Sequence, residues 1–530
     1  MTEQPLSLHV PNDTSIRRLL EGRVASDPDF VYLIFEDRPL TIREIDRKVN
    51  RLANGLAELG LRAGDRVAIM LPNVPDHMFA FLACAKLGLT QVPVNANLRG
   101  ASLEYLLEHS DPRAAIADTI YANAFTPALE RTKAEFAIWR RGTVPVKGMR
   151  ILAFDDVAAS GHEEPPPGSP RHDDVLSISY TSGTTGPPKG VMVTDKMLRA
   201  SAAAASLVAD FRAGDIPILW EPLFHIGGSQ MIVAALQNRI TIALLERFSA
   251  SRFWDEVRHY KATQVHYLGG ILSILLKQPP RPDDGQHTAR LAWGGGAPPP
   301  VWKPFMERFK MGIHENYGMS ECSSLTTANI TGKLGCVGKP LPYFEVKIVD
   351  DEGRTLGAGQ MGEILVRERE PGFIMKGYFR NPEATARALK DGWMHTGDLG
   401  SYDEEGDFHY LGRKKDSIRR RGENVSAWEV ERVLQAHPAV DECAVIGVDA
   451  EVGEQEIKAF VKLLPGATAA PLDLVKWCEE RLAYFQVPRY VATIDQFSKT
   501  ATERIQKEKL SRATDDCWDL EKSGYKVSRR

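Results

Sequence analysis

Apolar positions in the N-terminal third of the chain follow two spacings. Thr41-Ile42-Arg43-Glu44 sets a hydroxyl three residues before a carboxylate and opens an amphipathic helix that runs through Leu59. Arg66 to Leu71 is a short apolar run closed by Pro72 and predicts a buried strand. Met78 to Leu87 predicts a helix, and Gln91 to Val94 another short strand. Strand, helix and strand within about 30 residues predict βαβ units and a parallel sheet. Such a sheet binds ligands at the carboxyl ends of its strands. Proline-rich stretches at Glu163 to Asp174 and Gln278 to Gly285 predict surface loops. The pattern shifts after Gly412, where strand-like pieces (Ala444 to Val448, Ile457 to Leu464) mix with helices (Trp428 to Gln435, Leu472 to Leu482). The expected fold class is α/β. A large N-terminal region with parallel-sheet βαβ subdomains (residues 1–415) precedes a small α+β C-terminal domain (residues 416–530).

Composition narrows the classes. Of 530 residues, 43% are hydrophobic and 26% charged, enough apolar surface for a core and too much for a disordered chain. Lys+Arg 66 against Asp+Glu 70 gives a net charge of −4, so no global field recruits nucleic acid or anionic lipid, and any polyanion is gripped locally. The start, Met1 to Pro5, lacks the basic and apolar regions of a leader peptide, and the best apolar run, Met78 to Leu89, contains Lys86 and is too short for a membrane span. Six scattered cysteines with no CxxC pair predict a reduced chain and a cytoplasmic location.

The chemistry begins at Tyr180-Thr181-Ser182-Gly183-Thr184-Thr185-Gly186-Pro187-Pro188-Lys189-Gly190, directly after the strand-like Val175 to Ser179. Its glycines let backbone N–H groups converge on phosphate oxygens, four hydroxyls add donors, and Lys189 supplies a point charge. The spacing is not that of a Walker loop. A polar glycine-rich turn would read similarly without the lysine.

This loop resembles the signature of the adenylate-forming superfamily: acyl-CoA synthetases, luciferases and peptide-synthetase adenylation domains. The resemblance recurs in family order. Gly294-Gly295-Gly296-Ala297-Pro298 is similar to the adenine-contacting loop, Asn316-Tyr317-Gly318-Met319-Ser320-Glu321 to the YGxTE motif, and Gly392 to Asp398 to GWxHTGD. Gly412 to Asp416 and Arg421 to Ser426 resemble the hinge and the loop after it, and Gly377 to Val433 resembles crotonobetaine/carnitine-CoA ligase-like and fatty-acyl-CoA ligase members.

The resemblance implies a site for ATP, Mg²⁺ and a carboxylate. Tyr317 would face the adenine, with Tyr410 beside the nucleotide; Ser320 keeps a hydroxyl toward the α-phosphate; Glu321 would bind the metal, since a hard cation prefers carboxylate oxygen. Asp398 would accept from the ribose hydroxyls and Arg413 would bind ribose or phosphate, with a surface ion pair as the alternative for both. His225, in Pro222-Leu223-Phe224-His225, would gate access of acid and thiol to the acyl pocket. Trp220, Phe224, Tyr267, Gly269, Gly270, Ile271, Gly295 and Met319 are the pocket candidates, equally readable as core. They are mostly apolar or small and show no evident buried anion, which favours a bulky hydrophobic acid and disfavours carnitine. Lys415 would be the hinge about which the small domain turns between two half-reactions: acid plus ATP giving acyl-AMP and pyrophosphate, then coenzyme A displacing AMP. Arg413 to Arg421 holds six basic residues and one acid, and Arg420, Arg421 and Gly422 would meet CoA, unless the arginines form a plain solvated face.

One position departs from the family. Its C-terminal pattern [ST]-G-K-[IV] carries the lysine that bridges substrate carboxylate and ATP. Here Thr502 and Ile505 hold the register, Glu503 replaces the glycine and Arg504 the lysine. A planar guanidinium fork does not substitute freely for a compact ammonium, and a misplacement of about 1 Å can cost about 100-fold. The expectation is a CoA ligase with thioester formation intact and adenylation weak or absent, using acyl-AMP from a separate adenylating enzyme. The alternatives are a complete two-step ligase in which Arg504, Lys499 or Lys507 does the lysine's work, and a non-catalytic nucleotide-binding derivative. No carrier domain follows Arg530, and nothing favours luciferase chemistry.

Overall fold

A computed structural model describes residues 8–181, 188–420, 423–450, 455–500 and 504–527, with the side chains of Ser417, Arg419, Glu423 and Asn424 left aside. The first helix with a sequence signature is Ile42–Glu58. Thr41 caps it, accepting from Glu44 N while the Glu44 carboxylate accepts from Thr41 N, so two orphan donors of the first turn are satisfied reciprocally. The strand Arg66–Met70, the helix Pro75–Leu87 and the strand Thr90–Pro93 follow as one right-sized βαβ unit.

These belong to a seven-stranded sheet. Its order is Arg150–Ala153, Phe136–Arg140, Ala114–Asp118, Arg66–Met70, Thr90–Pro93, Val175–Thr181 and Lys189–Thr194. All neighbours are parallel except the last pair, which is antiparallel and pairs Thr181 with Lys189. A nine-stranded sheet has a parallel centre made of Gly312–Tyr317, Leu291–Gly295, Gln264–Leu268, Pro217–Leu219, Ile242–Leu244 and Val31–Phe35. Helices such as Asp195–Val208 and Ile226–Asn238 are buried on nearly every face because they lie between layers. A third, antiparallel sheet (Phe344–Val349, Gly362–Glu368, Trp393–Tyr402, Phe408–Arg413, with Leu389–Lys390 at its edge) packs beside them.

Beyond a single-turn segment at Lys414–Asp416, the strands form their own sheets: Ser417–Arg420 with Glu423–Ser426, and Val440–Asp449, Gln455–Leu463, Tyr490–Thr493 and Trp518–Asp519. A separate apolar core (Ile418, Val425, Val430, Val445, Ile457, Val475) fills this part. Lys277, from the large region, places its Nζ 2.5 Å from Asp441 Oδ1 in the small one. Among the described residues no helix is long and apolar enough to cross a membrane.

Candidate active site

The carboxyl ends of the parallel strands converge with the hairpin Trp393–Tyr402/Phe408–Arg413. Tyr317 ends the strand Gly312–Tyr317, and its hydroxyl donates to Asp398 Oδ2 at 2.7 Å. The Tyr317 ring stacks on Tyr410 with centroids 5.7 Å apart. Asp398 Oδ1 is 3.0 Å from Arg413 Nε, directly across the hairpin register, yet lacks the alignment of a hydrogen bond and is buried without any other partner. A buried acceptor left open costs free energy unless something fills it, and a ribose hydroxyl is a fitting donor. Burial pushes the Asp398 carboxyl up, against the pull of Arg413, Tyr317 and Arg504.

Glu321 follows in a single helical turn, Ser320–Cys322, and is buried. Tyr378 donates to Glu321 Oε1 at 2.8 Å, and its ring carries Lys189 Nζ 4.9 Å from the centroid. Among the described residues no cluster of three or more His, Cys, Asp or Glu could enclose a metal ion. A single oriented carboxylate nevertheless suits Mg²⁺, which takes one or two protein carboxylates and fills its remaining positions with substrate phosphates and water. The ion would neutralise phosphate charge. Gly318 is held by space: a Cβ there would fall 1.9 Å from Ser324 O.

The loop Gly294 to Pro298 follows the strand Leu291–Gly295. Asn316 Nδ2 donates to Gly294 O at 2.7 Å, and Ala297 N donates to Glu315 Oε1 at 3.1 Å, beside a shorter bond from Gly296 N. Glu315 is fully enclosed, and burial raises its carboxyl to about 8, more than offsetting the Tyr267 hydroxyl and the two amides.

The expected acyl pocket divides. Trp220, Tyr267 and Ile271 are at most 5% exposed and belong to one apolar core cluster. The Trp220 indole donates to His266 O at 2.9 Å, and the Tyr267 hydroxyl bonds Glu315 and His314 O. These three lie in the core, the other reading their sequence allowed. Phe224, His225, Gly269, Gly270 and Met319 are partly exposed, and a Cβ added at Gly269 or Gly270 would meet nothing within 4 Å, so there is open space at that wall. The expectation of a wall without a buried anion is corrected here. Glu221 is buried, with Oε1 2.6 Å from His225 Nδ1 and Oε2 3.1 Å from His266 Nδ1. Burial raises its carboxyl, but His266 and His225 outweigh it and bring it to about 2.

Ser182, Gly183, Thr184, Thr185 and Gly186, like Arg421 and Gly422, lie outside the described residues. Thr181 and Lys189 close the hairpin on either side of the loop. Lys415 is exposed in the connecting turn, and its neighbour Lys414 pairs with Glu363 and Asp351, each at 3.0 Å. Arg420 is a second correction. It is buried, with Nε 2.6 Å from Glu456 Oε2 as an ion pair and Nη1 donating to Phe485 O and Val487 O, so its charge is engaged inside the small domain and not held out toward CoA phosphates.

Lys499 pairs with Ile505 in an isolated bridge, and Arg504 O accepts from Thr500 N at 2.8 Å. Its side chain is exposed, and its charge reaches Asp398 and Tyr410. A cleft of about 110 Å³ beside Tyr410 and Arg413 is also lined by Trp428, Glu431 and Lys507. Sequence reasoning missed Tyr378, Glu315, Glu221 and His266. Glu315 and His266 adjoin residues it singled out, and Glu221 lies four residues before His225, in the turn that leads into the helix Ile226–Asn238. Tyr378 carries no local signal, being 57 residues from Glu321.

Known proteins resemble this chain over most of its length. The model of the AMP-binding enzyme family matches residues 20–379, and that of the AMP-binding enzyme C-terminal domain matches residues 429–504. A crotonobetaine/carnitine–CoA ligase from Escherichia coli is 33% identical over 486 residues, covering 88% of this chain and 92% of its own. The anthranilate CoA ligase AuaEII, solved with anthranoyl-AMP, superposes with a TM-score of 0.86 at 27% identity, over 94% of this chain and 96% of that one. The o-succinylbenzoate CoA synthetase MenE from Bacillus subtilis, solved with ATP and magnesium, gives 0.81 at 29% identity, over 93% and 99%. With a family model spanning residues 20–379 and a ligase 33% identical over 88% of the chain, the chain belongs to the AMP-binding enzyme family, as an AMP-forming acyl-CoA ligase.

Proposed function

We propose that this ligase forms acyl-CoA thioesters efficiently from acyl-adenylates and that its own adenylating half-reaction is weak. The observation that carries the reading is Arg504 at the lysine position, together with the engagement of the lysines nearest it in sequence. Lys499 Nζ is 2.5 Å from Glu442, and Lys507 Nζ is 2.7 Å from Glu431. Neither is held as a spare cation for the substrate carboxylate. A guanidinium spreads its charge over a wide fork, so an acid anion and the α-phosphorus meet at near-attack distance less often than around an ammonium. ATP or acyl-AMP, coenzyme A and Mg²⁺ are the implied small molecules, and residues 416–530 would rotate about Lys415 between the two half-reactions.

A second reading has its own support. The Arg504 charge acts on Asp398 and Tyr410, within the nucleotide site, so Arg504 itself would bridge the anions in a complete two-step ligase. The acid is in either case a carboxylate with a bulky apolar body, for which the open space at Gly269 and Gly270 provides room. Arg504→Lys decides between them. If adenylation is weak for want of the ammonium, pyrophosphate release from acid plus ATP rises about tenfold or more. A fall would favour the complete ligase running on arginine.

A further inference from the structure

Glu221 stands just past the end of the strand Pro217–Leu219, at the carboxyl edge of the nine-stranded sheet, and its side chain is 1% exposed. Its two oxygens face two imidazoles from different elements. His225 caps the helix Ile226–Asn238 and is 41% exposed, while His266 lies on the strand Gln264–Leu268 and is 8% exposed. Asn73 fixes the turn between them, its Nδ2 donating to Glu221 O at 2.9 Å and its Oδ1 accepting from Leu223 N. Gly227 lets the helix approach: a Cβ there would fall 2.3 Å from Glu221 Oε1.

His225 Nδ1 has two neighbours that demand opposite roles. Glu221 Oε1, at 2.6 Å, requires a proton on Nδ1, whereas Gly227 N, at 3.3 Å, would donate to a bare one. The short bond to a buried carboxylate is the stronger, being charge-assisted. The proton therefore sits on Nδ1, and Nε2, which has no protein partner among the described residues, is an acceptor on the half-exposed side of the ring. His266 Nδ1 lies 3.1 Å from the other carboxylate oxygen without hydrogen-bond alignment, its ring 4.4 Å from Trp293.

We propose that Glu221 is a positioning residue for thioester formation: it fixes His225 in the tautomer whose Nε2 takes the proton of the incoming thiol. The inference rests on the acyl-CoA ligase reading of the site. As the CoA sulfur attacks the acyl-adenylate carbonyl, the C–S bond forms and the S–H proton passes to His225 Nε2. The C–O bond to phosphate then breaks, and AMP departs with its electron pair. Orientation of an imidazole by a buried carboxylate is how other nucleophile–histidine pairs keep the correct tautomer.

The test uses the full chain with a panel of synthetic adenylates (benzoyl-AMP, anthraniloyl-AMP, hexanoyl-AMP) and CoA, following thiol consumption. Glu221→Gln and His225→Ala each lower kcat about 100-fold, the lower range for a general base, with KM for the adenylate within twofold. The double variant is no slower than His225→Ala, because Glu221 acts only through His225. Losses that multiply in the double variant, or a Glu221→Gln enzyme at the wild-type rate, overturn the proposal. Histidine-selective ¹⁵N spectra of the unmutated protein give a reading free of folding effects. The signal that disappears in His225→Ala reports a proton on Nδ1 if the proposal holds and on Nε2 if it fails. If the wild-type protein uses no adenylate in the panel, the ligase reading fails, and the tautomer measurement still judges the geometry.

Discussion

Lys507 Nζ lies 2.7 Å from Glu431 Oε1, and its second acidic neighbour is Asp416 Oδ2 at 3.8 Å. Burial lowers the Lys507 ammonium's pKa, but Glu431 and Asp416 raise it further, so the lysine stays charged and attached to the small domain. Lys507→Ala is expected to destabilise the protein by about 1–3 kcal/mol, reduced from the fully buried case because both side chains keep about a fifth of their surface in water. The ratio of the two half-reaction rates is expected to stay unchanged. Chemical denaturation and parallel half-reaction assays check both. A selective loss of adenylation would mean that Lys507 leaves Glu431 to do the lysine's work.

Tyr378 orients the carboxylate expected to meet Mg²⁺. Tyr378→Phe removes the hydroxyl that holds Glu321 Oε1 and keeps the ring beneath Lys189. Loss of an orienting partner commonly costs about 10- to 100-fold in metal affinity or activity. Titration of pyrophosphate release against Mg²⁺ is expected to show a half-saturation point at least tenfold higher.

Glu315 makes stability depend on pH. Its folded carboxyl lies near 8, above an ordinary carboxylate value of 4.5, so the folded state holds the extra proton. The contribution is full below about 4.5 and is lost as pH rises through about 8. Urea unfolding is expected to show the wild type losing stability relative to Glu315→Gln, the isostere of its protonated form, as pH rises across that window. A difference flat from pH 5 to 9 would place the Glu315 charge elsewhere.

Arg420 is expected to matter for folding and not for CoA. Arg420→Ala strands Glu456 and two carbonyls in the small domain, a loss of about 3–5 kcal/mol for a broken buried pair. Where the variant is folded, KM for CoA is expected to match the wild type within a factor of about two, since a retained interaction leaves binding energy unchanged. A CoA KM raised tenfold would return Arg420 to the CoA site.

Much of this architecture is legible in the sequence because the signals are local. Thr41 and Glu44 announce their helix, and Arg66 to Val94 reads as the βαβ unit it forms, since each element carries its own periodicity. Each nucleotide motif is contiguous, so Tyr317, Asp398 and Arg413 could each be picked out by resemblance, although the hydroxyl bond from Tyr317 to Asp398 spans 81 positions and appears only on folding. The pocket was less legible. Trp220 and Tyr267 read equally as pocket or core in sequence, and only the fold shows their polar atoms satisfied within the core. Glu221 is ordinary in sequence, and only the fold brings His266, 45 residues on, against it. Arg420 looked solvent-facing because it stands in a basic run, and its buried partner Glu456 comes from a different strand.

The central claim concerns the balance between the two half-reactions. The measurement that tests it most directly is the rate of acyl-CoA formation, read by mass spectrometry over a panel of acids. One arm supplies acid, ATP, Mg²⁺ and CoA; the other supplies the matching synthetic acyl-AMP and CoA. Turnover from acyl-AMP is expected to be at least about tenfold faster than from acid and ATP for every acid accepted, since the cost sits in the step that Arg504 serves. Equal turnover in the two arms would contradict it and make this protein a complete ligase that runs on arginine.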